Sequence, residues 1–405
     1  MKIKLIILLL LFFVLGFGQI KKDTILNYNS KLEALPYYSF GKGLGITSPD
    51  SLFQLNIRFR MQNRVTYFQE DGEENRYEAL IRRLRLRLDG YVGNPKFLYS
   101  IQLSFAPGDV GVIEEGTNLN IIRDAVFIYK PSIHWSFTFG QTKLPGNRQR
   151  VNSSGALQLV DRSINNASFN IDRDFGFHAY FLNENKDKFG YNIKMALSSG
   201  EGRNWTKASN DGVALTGKLE LFPFGAFKNN GYYFEGDLVR EKKIKLMLSG
   251  AYHQNNRAVR TQGQIGDNLF SPVTLRSIFF DGLAKYKGWS LMTAYMQRQA
   301  NDLITYNPVN NTEYNFVFGG RGIDYQMSYN FPSNYEVIGR FSTQKLDKQI
   351  QSFAPNRKQY SLGLTKYLWE HSLKFQTEIS YNTSNYFSSA TKNGWFASFQ
   401  VEIGI

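Results

Sequence analysis

From Phe53 to Tyr67 apolar and polar side chains alternate. Phe53, Leu55, Ile57, Phe59, Met61, Val65 and Tyr67 share one face, and Gln54, Asn56, Arg58, Arg60, Gln62 and Arg64 share the other. A period of two held this long predicts a β-strand longer than the five or six residues usual in globular sheets. A strand of about ten residues or more suits a tilted passage through a bilayer. The same pattern predicts strands at 78–92, 97–105, 121–129, 134–141, 174–182, 189–197, 213–222, 244–253, 277–286, 289–297, 319–331, 335–343, 358–367, 372–382 and 395–405. Connections alternate in length. Short ones fall at 93–96, 130–133, 287–288, 332–334 and 368–371, and long polar ones at 68–77, 106–120, 142–173, 198–212, 254–276, 298–318, 344–357 and 383–394. Short turns at one end and long loops at the other predict an all-β fold, a 16-stranded antiparallel transmembrane β-barrel with both termini periplasmic. Residues 223–243 must then form a turn, because a strand there, suggested by Tyr232 to Val239, would make the count odd. Trp135, Trp289 and Trp395 fall at predicted strand starts, where an amphipathic ring sits at headgroup level. A soluble β-sandwich would show shorter strands and more uniform turns.

The N-terminus sets the compartment. Lys2 and Lys4 precede an unbroken apolar run from Leu5 to Phe17, with Gly16 and Gly18 before Gln19. This reads as a secretory signal peptide over residues 1–18, since 13 apolar residues are too few for a helical span of about 20. An 18-residue leader leaves 387 of the 405 residues, divided into a periplasmic N-terminal segment at 19–52 and a barrel at 53–405. No later apolar stretch is long enough for a membrane helix. The chain has no cysteine, which removes disulfides, thiolate metal sites and cysteine nucleophiles together. Aromatic residues reach 15% while charged residues make up 20%, a mixture suited to a sheet with one oily and one wet face.

The formal net charge of +14 acquires meaning from its placement. Arg58, Arg60 and Arg64 on one predicted strand face the same side as Arg83, Arg85 and Arg87 on the next, and Leu84, Leu86 and Leu88 occupy the opposite face. Folding that hairpin sets like charges opposite or diagonal to one another, which destabilises a sheet unless a wet lumen or passing anions neutralise them. Guanidinium groups suit phosphate and carboxylate. Single lumen-facing cations such as Lys194, Lys218, Lys245, Arg340 or Lys374 are explained by polarity alone. The 32-residue connection from Thr142 to Arg173 carries Lys143, Arg148, Arg150 and Arg162 and is long enough to be functional. Folded into the lumen it would narrow the channel and charge the constriction; as an outer loop it would be exposed. The anion-binding, pore-lining candidates are these ten: Arg58, Arg60, Arg64, Arg83, Arg85, Arg87, Lys143, Arg148, Arg150 and Arg162.

Catalytic readings find no support. His134, His178, His253 and His371 are scattered, only His178 is predicted to face the lumen, and no nucleophile or metal motif surrounds any of them. Gly41, Gly43 and Gly45 lack dinucleotide-fingerprint spacing. A nucleic-acid surface is disfavoured, because arginines alternating with leucines would expose the leucines to water.

At these residues the chain resembles the phosphate-selective porin O and P family. The resemblance runs through Arg82-Arg83-Leu84-Arg85-Leu86-Arg87-Leu88-Asp89-Gly90, Asp124-Ala125 with Tyr129 and Pro131, and Gly140-Gln141-Thr142-Lys143-Leu144-Pro145. It continues through Asn152-Ser153-Ser154, Asp161-Arg162-Ser163 and Arg173-Asp174-Phe175-Gly176. It implies a 16-stranded homotrimeric porin with an arginine ladder at Arg58, Arg60, Arg83, Arg85 and Arg87, and a basic third loop folded inward with Lys143 at its base. Thr142, Asp161 and Ile405 depart from the family's usual aromatic, Glu and Phe. The expectation is passive diffusion of small anions, phosphate or polyphosphate, across the outer membrane of a Gram-negative bacterium. The partners are outer-membrane lipid and lipopolysaccharide, with no nucleic acid, enzyme activity, cofactor or metal. The alternatives are a general porin without selectivity and a structural or secretion-complex barrel.

Overall fold

Two-faced alternation becomes a closed wall. The computed structural model describes residues 43–110, 120–204, 210–387 and 390–405. The expected signal peptide, and the N-terminal segment as far as residue 42, lie outside the described residues. In chain order the strands are β1 (Leu44–Thr47), β2 (Phe53–Glu70), β3 (Arg76–Val92), β4 (Asn94–Ser104), β5 (Ile122–Tyr129), β6 (Trp135–Lys143) and β7 (Arg173–Asn183). There follow β8 (Gly190–Ser198), β9 (Ala214–Phe222), β10 (Lys245–Arg260), β11 (Asn268–Tyr286), β12 (Trp289–Ala300), β13 (Ile304–Tyr306) and β14 (Tyr314–Phe316). The last are β15 (Gly320–Asn330), β16 (Tyr335–Leu346), β17 (Asn356–Trp369), β18 (Leu373–Asn385) and β19 (Lys392–Gly404). Sixteen of these, all but β1, β13 and β14, pair antiparallel in chain order, and β19 closes the barrel on β2.

β19 covers the edge of β2 only from Glu70 down to Arg60, and the Ile405 N–H donates to Phe59 O at 3.1 Å. From Ile57 to Gln54 the same edge is covered by β1. An open edge would otherwise be a template for aggregation. The lipid-facing side carries the aromatic belts expected of such a wall: Trp135 and Trp289 near the turn end are 42% and 47% exposed, and Trp395 near the loop end packs on Tyr67 with ring centroids 5.2 Å apart.

The structure corrects five expectations. Most of 254–276 is strand, because β10 and β11 continue past the rest of the wall and only 261–267 forms the loop. The connection 298–318 contains the hairpin β13–β14, and β1 lies inside the predicted N-terminal segment. His253 also faces the lumen, where its Nδ1 is 2.9 Å from Thr216 Oγ1, and His371 is buried at the turn end against Phe234 and Tyr367. Finally, the inner face is not uniformly wet. Leu144, Phe169 and Ile171 of the third loop pack on Ala251, Phe279 and Met296, and Phe227, Tyr232 and Tyr233 pack on Met247, Leu283 and Met292. Segment 223–243 is indeed a turn, and it is folded into the barrel. These inner apolar residues of β10–β12 exist because protein, not water, fills that sector, and they obscure the period-two signal that would have placed His253.

Candidate functional site: an arginine-walled passage

The register places Arg58 opposite Arg87 and Arg60 opposite Arg85. Gln62 faces Arg83, and the next pair is Asn63 with Ile81, so Arg82 is one extra residue in β3. Such a bulge re-aims a side chain, and here it turns two consecutive arginines inward. β5 repeats the device: Gln102 pairs with Asp124 and Leu103 with Ile122, which leaves Arg123 extra, and both Arg123 and Asp124 are buried.

Carboxylates shared between several cations hold the like charges together. Asp89, fully buried, lies 2.8 Å from Arg58 and 3.1 Å from Arg87. Asp109, on the short helix α1 (Pro107–Val110), bridges Arg85 at 2.8 Å and Arg123 at 3.0 Å. Asp161 of the third loop joins Arg64, Arg82 and Arg83 at 2.9, 3.0 and 3.3 Å. Arg173 pairs with Asp124 at 3.0 Å and with Asp172 at 3.5 Å, and Arg150 also bonds Asp172.

The third loop crosses the lumen and is tied along its length. Lys143, the last residue of β6, donates to the carbonyls of Val151 and Asn152 at the end of helix α2 (Arg148–Val151). Arg60 donates to Ser153 and Ser154 at 3.0 and 2.6 Å. Lys374 donates to Gly155 O and Leu157 O, Gln376 to Leu157 O through Leu159 O, and Arg340 to Asp161 O. Helix α3 (Ile164–Phe169) is capped by Ser163, which also bonds Asp324 at 2.6 Å. Two inward glycines make room for this path. A Cβ at Gly322 would fall 2.0 Å from Asn165 Oδ1, and one at Gly363 would fall 2.2 Å from Leu159 Cδ2.

Between this loop and the wall of β2–β5 lies a cavity of about 510 Å³. Its lining includes Arg64, Arg82, Arg83, Arg85, Arg123, Lys143, Arg150, Arg162, Arg173, Arg203 and Arg340, eleven basic residues against the four acids Asp109, Asp161, Asp172 and Glu378. Toward the turn end it meets a much smaller space of about 30 Å³, lined by Arg58, Arg60, Arg85, Arg87, Lys143 and Arg173 among others, room for a water or two. Arg85, Lys143 and Arg173 border both spaces. Five residues of the larger chamber, Arg64, Arg83, Arg123, Arg203 and Arg340, keep a buried Nε with no hydrogen-bond partner among the described residues.

Nine of the ten sequence-predicted residues therefore gather along one passage. Arg148 does not: it donates to Tyr232 O and Phe234 O and clasps the third loop to segment 223–243 on the far side of the loop. The lysines of β9–β11 are likewise engaged there, Lys218 with Gly146 O, Lys245 with Phe224 O, and Lys285 with Gly231 O and Gly236 O. Arg82, Arg123, Arg173 and Arg203, and the four bridging aspartates Asp89, Asp109, Asp161 and Asp172, were not predicted. A signal for Arg82 existed: the outward apolar residues are Tyr77, Ala79 and Ile81 before it but Leu84, Leu86 and Leu88 after it, a change of parity that only a bulge explains.

Burial alone would raise the carboxyls of Asp109, Asp161 and Asp172, but the facing arginines outweigh it and hold all three below the usual carboxylate range. Burial, with Arg150 beside it, brings the Arg162 guanidinium down to about 9, still charged at neutral pH. Burial also pushes the His371 imidazole down, reinforced by Lys374 and Lys285, so it stays neutral. A depressed carboxylate loses its charge only as pH falls below the unperturbed value of about 4. These three carboxylates therefore add no pH dependence to the charge of the chamber between about pH 5 and pH 8. A rise in anion preference, read from a reversal potential, with a midpoint between about pH 4 and pH 5, where ordinary carboxylates finish titrating, would contradict this assignment of charges.

A closed sixteen-strand wall, lipid-facing aromatic belts and a loop-narrowed polar interior define an outer-membrane porin. Among the described residues no helix is long and apolar enough to cross a membrane; the crossing is made by strands. Residues 53–220, which contain the arginine hairpin and the third loop, match the model of the family described as phosphate-selective porin O and P. No curated protein sequence matches the chain. Among solved structures it is similar to the outer membrane channel DcaP of Acinetobacter baumannii, at 13% identity and a TM-score of 0.53 over 89% of this chain and 99% of that one. The anion-selective porin from Comamonas acidovorans is similar at 12% identity and a TM-score of 0.52, over 86% of this chain and 99% of that one. Salmonella typhi OmpF, in complex with daunomycin, gives 13% identity and a TM-score of 0.53 over 88% and 100%. At these identities the likeness is one of fold.

Proposed function

We propose that this porin is a passive, anion-preferring diffusion pore whose solutes are small oxyanions of the phosphate class. Residues 1–18 direct its export, and the route runs through the arginine-walled chamber. The observation that carries the reading is the chamber's lining, eleven cationic side chains against four acids, with five guanidinium Nε atoms that have no hydrogen-bond partner among the described residues. A single-sign wall focuses the field into a pore and raises the local concentration of counter-ions, and guanidinium forks match tetrahedral oxyanions. The family description of residues 53–220 and the anion selectivity of the Comamonas porin support the same direction. Diffusion down a gradient requires neither cofactor nor energy coupling.

Reconstitution in a planar bilayer under a potassium chloride gradient tests it. The reversal potential is expected to take the sign of a chloride-preferring pore, and phosphate added to either side is expected to reduce the chloride current by occupying the chamber. Cation preference would overturn the reading. Anion preference without phosphate block would reduce it to a general anion pore.

A further inference from the structure

On the lipid-facing side, near the loop end, a row of basic residues crosses β11 to β17. Arg276, Arg321, Lys345 and Lys358 are all exposed, while their chain neighbours Ser277, Gly322, Gln344 and Gln359 are buried toward the interior. The pairing sets them close together. Gln297 faces Arg321, and Arg321 faces Lys345 directly. Arg276 lies two residues further toward the loop end than Ile278, the partner of Gln297. Lys358 faces Thr343, two residues turnward of Lys345.

Just below this row, on the same outer face, is an aromatic layer. Tyr325 and Tyr360 are each 52% exposed, and Phe341 packs on Tyr360 with centroids 4.9 Å apart. Aromatic rings at such a level mark the boundary between hydrocarbon and headgroups, so the basic row stands at headgroup height.

Three other basic residues at the loop end have acids beside them. Arg76 lies between Glu70 at 3.5 Å and Glu78 at 3.7 Å, Arg257 is 3.0 Å from Asp211, and Lys392 is 3.6 Å from Glu73. Among the described residues, Arg276, Arg321, Lys345 and Lys358 have no ion pair, and Arg276 has only a long 3.4 Å hydrogen bond to Gln254. Like charges directly opposite in a sheet repel, so the Arg321–Lys345 pair calls for a shared counter-charge from outside the chain. Long loops face the cell exterior in this class of barrel, and the surrounding outer leaflet is therefore the source.

We propose that this row is a binding site for the phosphates of a phosphorylated glycolipid headgroup, the lipid A of the outer leaflet. Arg276 and Arg321 form forked bonds to phosphate, and Lys345 and Lys358 act as point charges around it. The site faces away from the lumen, so it is independent of the anion preference proposed above.

The test compares the refolded wild-type porin with R276Q/R321Q/K345Q/K358Q in detergent. Native mass spectrometry would read the binding of lipid A bearing both phosphates and of lipid A stripped of them. The phosphorylated form is expected to bind the wild type at least about tenfold more tightly than the variant, given that basic groups near an anionic surface act additively. The stripped form should bind both proteins equally weakly. A second variant, R276K/R321K, keeps the charge and should retain most of the binding, which separates loss of charge from misfolding. Equal binding of phosphorylated lipid A to the wild type and the quadruple variant, or equal binding of both lipids to the wild type, would overturn the proposal. The variant's ion preference in a bilayer should be unchanged, so failure of this site and failure of the anion-pore reading are distinguishable.

Discussion

Replacing Arg60 and Arg85 with serine is expected to reduce the anion-to-cation permeability ratio by at least about thirtyfold while leaving a folded barrel. The two arginines face one another across β2 and β3 and border the narrow space. A unit charge at 4 Å in a water-like dielectric is worth about 1 kcal/mol to a passing ion, and two are worth about 2 kcal/mol. The fold should survive, because the partners of both residues keep other bonds. Asp109 retains Arg123 at 3.0 Å and Ser104 at 2.7 Å, and the loop from Gly155 to Leu159 remains held by Lys374 and Gln376. The same exchange at Arg58 and Arg87 should behave differently. It would strip the fully buried Asp89 of both cations, and breaking a buried pair from one side costs about 3–5 kcal/mol. Reversal potentials report the first effect, and heat-dependent gel mobility separates it from the second. An unchanged permeability ratio in a correctly folded R60S/R85S barrel would remove these residues from the route.

Excising residues 224–243 and joining the strands through Asn-Gly is expected to raise single-channel conductance about 1.5-fold to twofold. A sixteen-stranded barrel is wide enough for an aqueous channel across its whole section. Here the turn end beneath β9–β12 is occupied by an apolar cluster built on Phe227, Tyr232 and Tyr233. The third loop is clasped to that cluster through Arg148, and Glu235 accepts from the Gln158 backbone N–H at 2.9 Å. Removing the insert opens a second lane lined by Lys285, Lys245 and Arg148, so conductance should rise without reversing the ion preference. A drop in conductance would mean that the insert props the third loop away from the arginine wall instead of filling the space beside it.

Much of this molecule was readable from residue order. The strands and the short-turn, long-loop alternation follow from a period of two and from turn chemistry, both local properties. That Arg58 and Arg60 lie opposite or diagonal to Arg85 and Arg87 followed from one hairpin; the exact pairs, Arg58 with Arg87 and Arg60 with Arg85, came only with the structure. Two kinds of feature were harder. The bulges at Arg82 and Arg123 reverse the parity of a strand midway, and strict alternation conceals them unless apolar residues are tracked on both sides of the break. Interior filling is non-local: whether Phe279 or Met296 faces lipid or loop depends on what occupies the lumen, which no strand encodes by itself. Inward glycines such as Gly322 and Gly363 were the available hint, since a lumen position without a side chain implies that another segment comes close. The aspartates that bridge the arginines were invisible for a related reason. Asp109 and Asp161 sit in loops, and their distance along the chain from Arg85 and Arg64 gives no indication of contact.

The way the wall closes has a topological meaning of its own. Gly404 pairs with Arg60, Ile405 reaches Phe59, and Leu44 pairs with Ile57, so the tail of the chain and β1 run head to tail in one direction along a single edge. Geometrically they form one composite strand assembled from two distant parts of the chain. The last seam of the barrel is thus covered by two separate segments set in line, each held to β2 by its own hydrogen bonds.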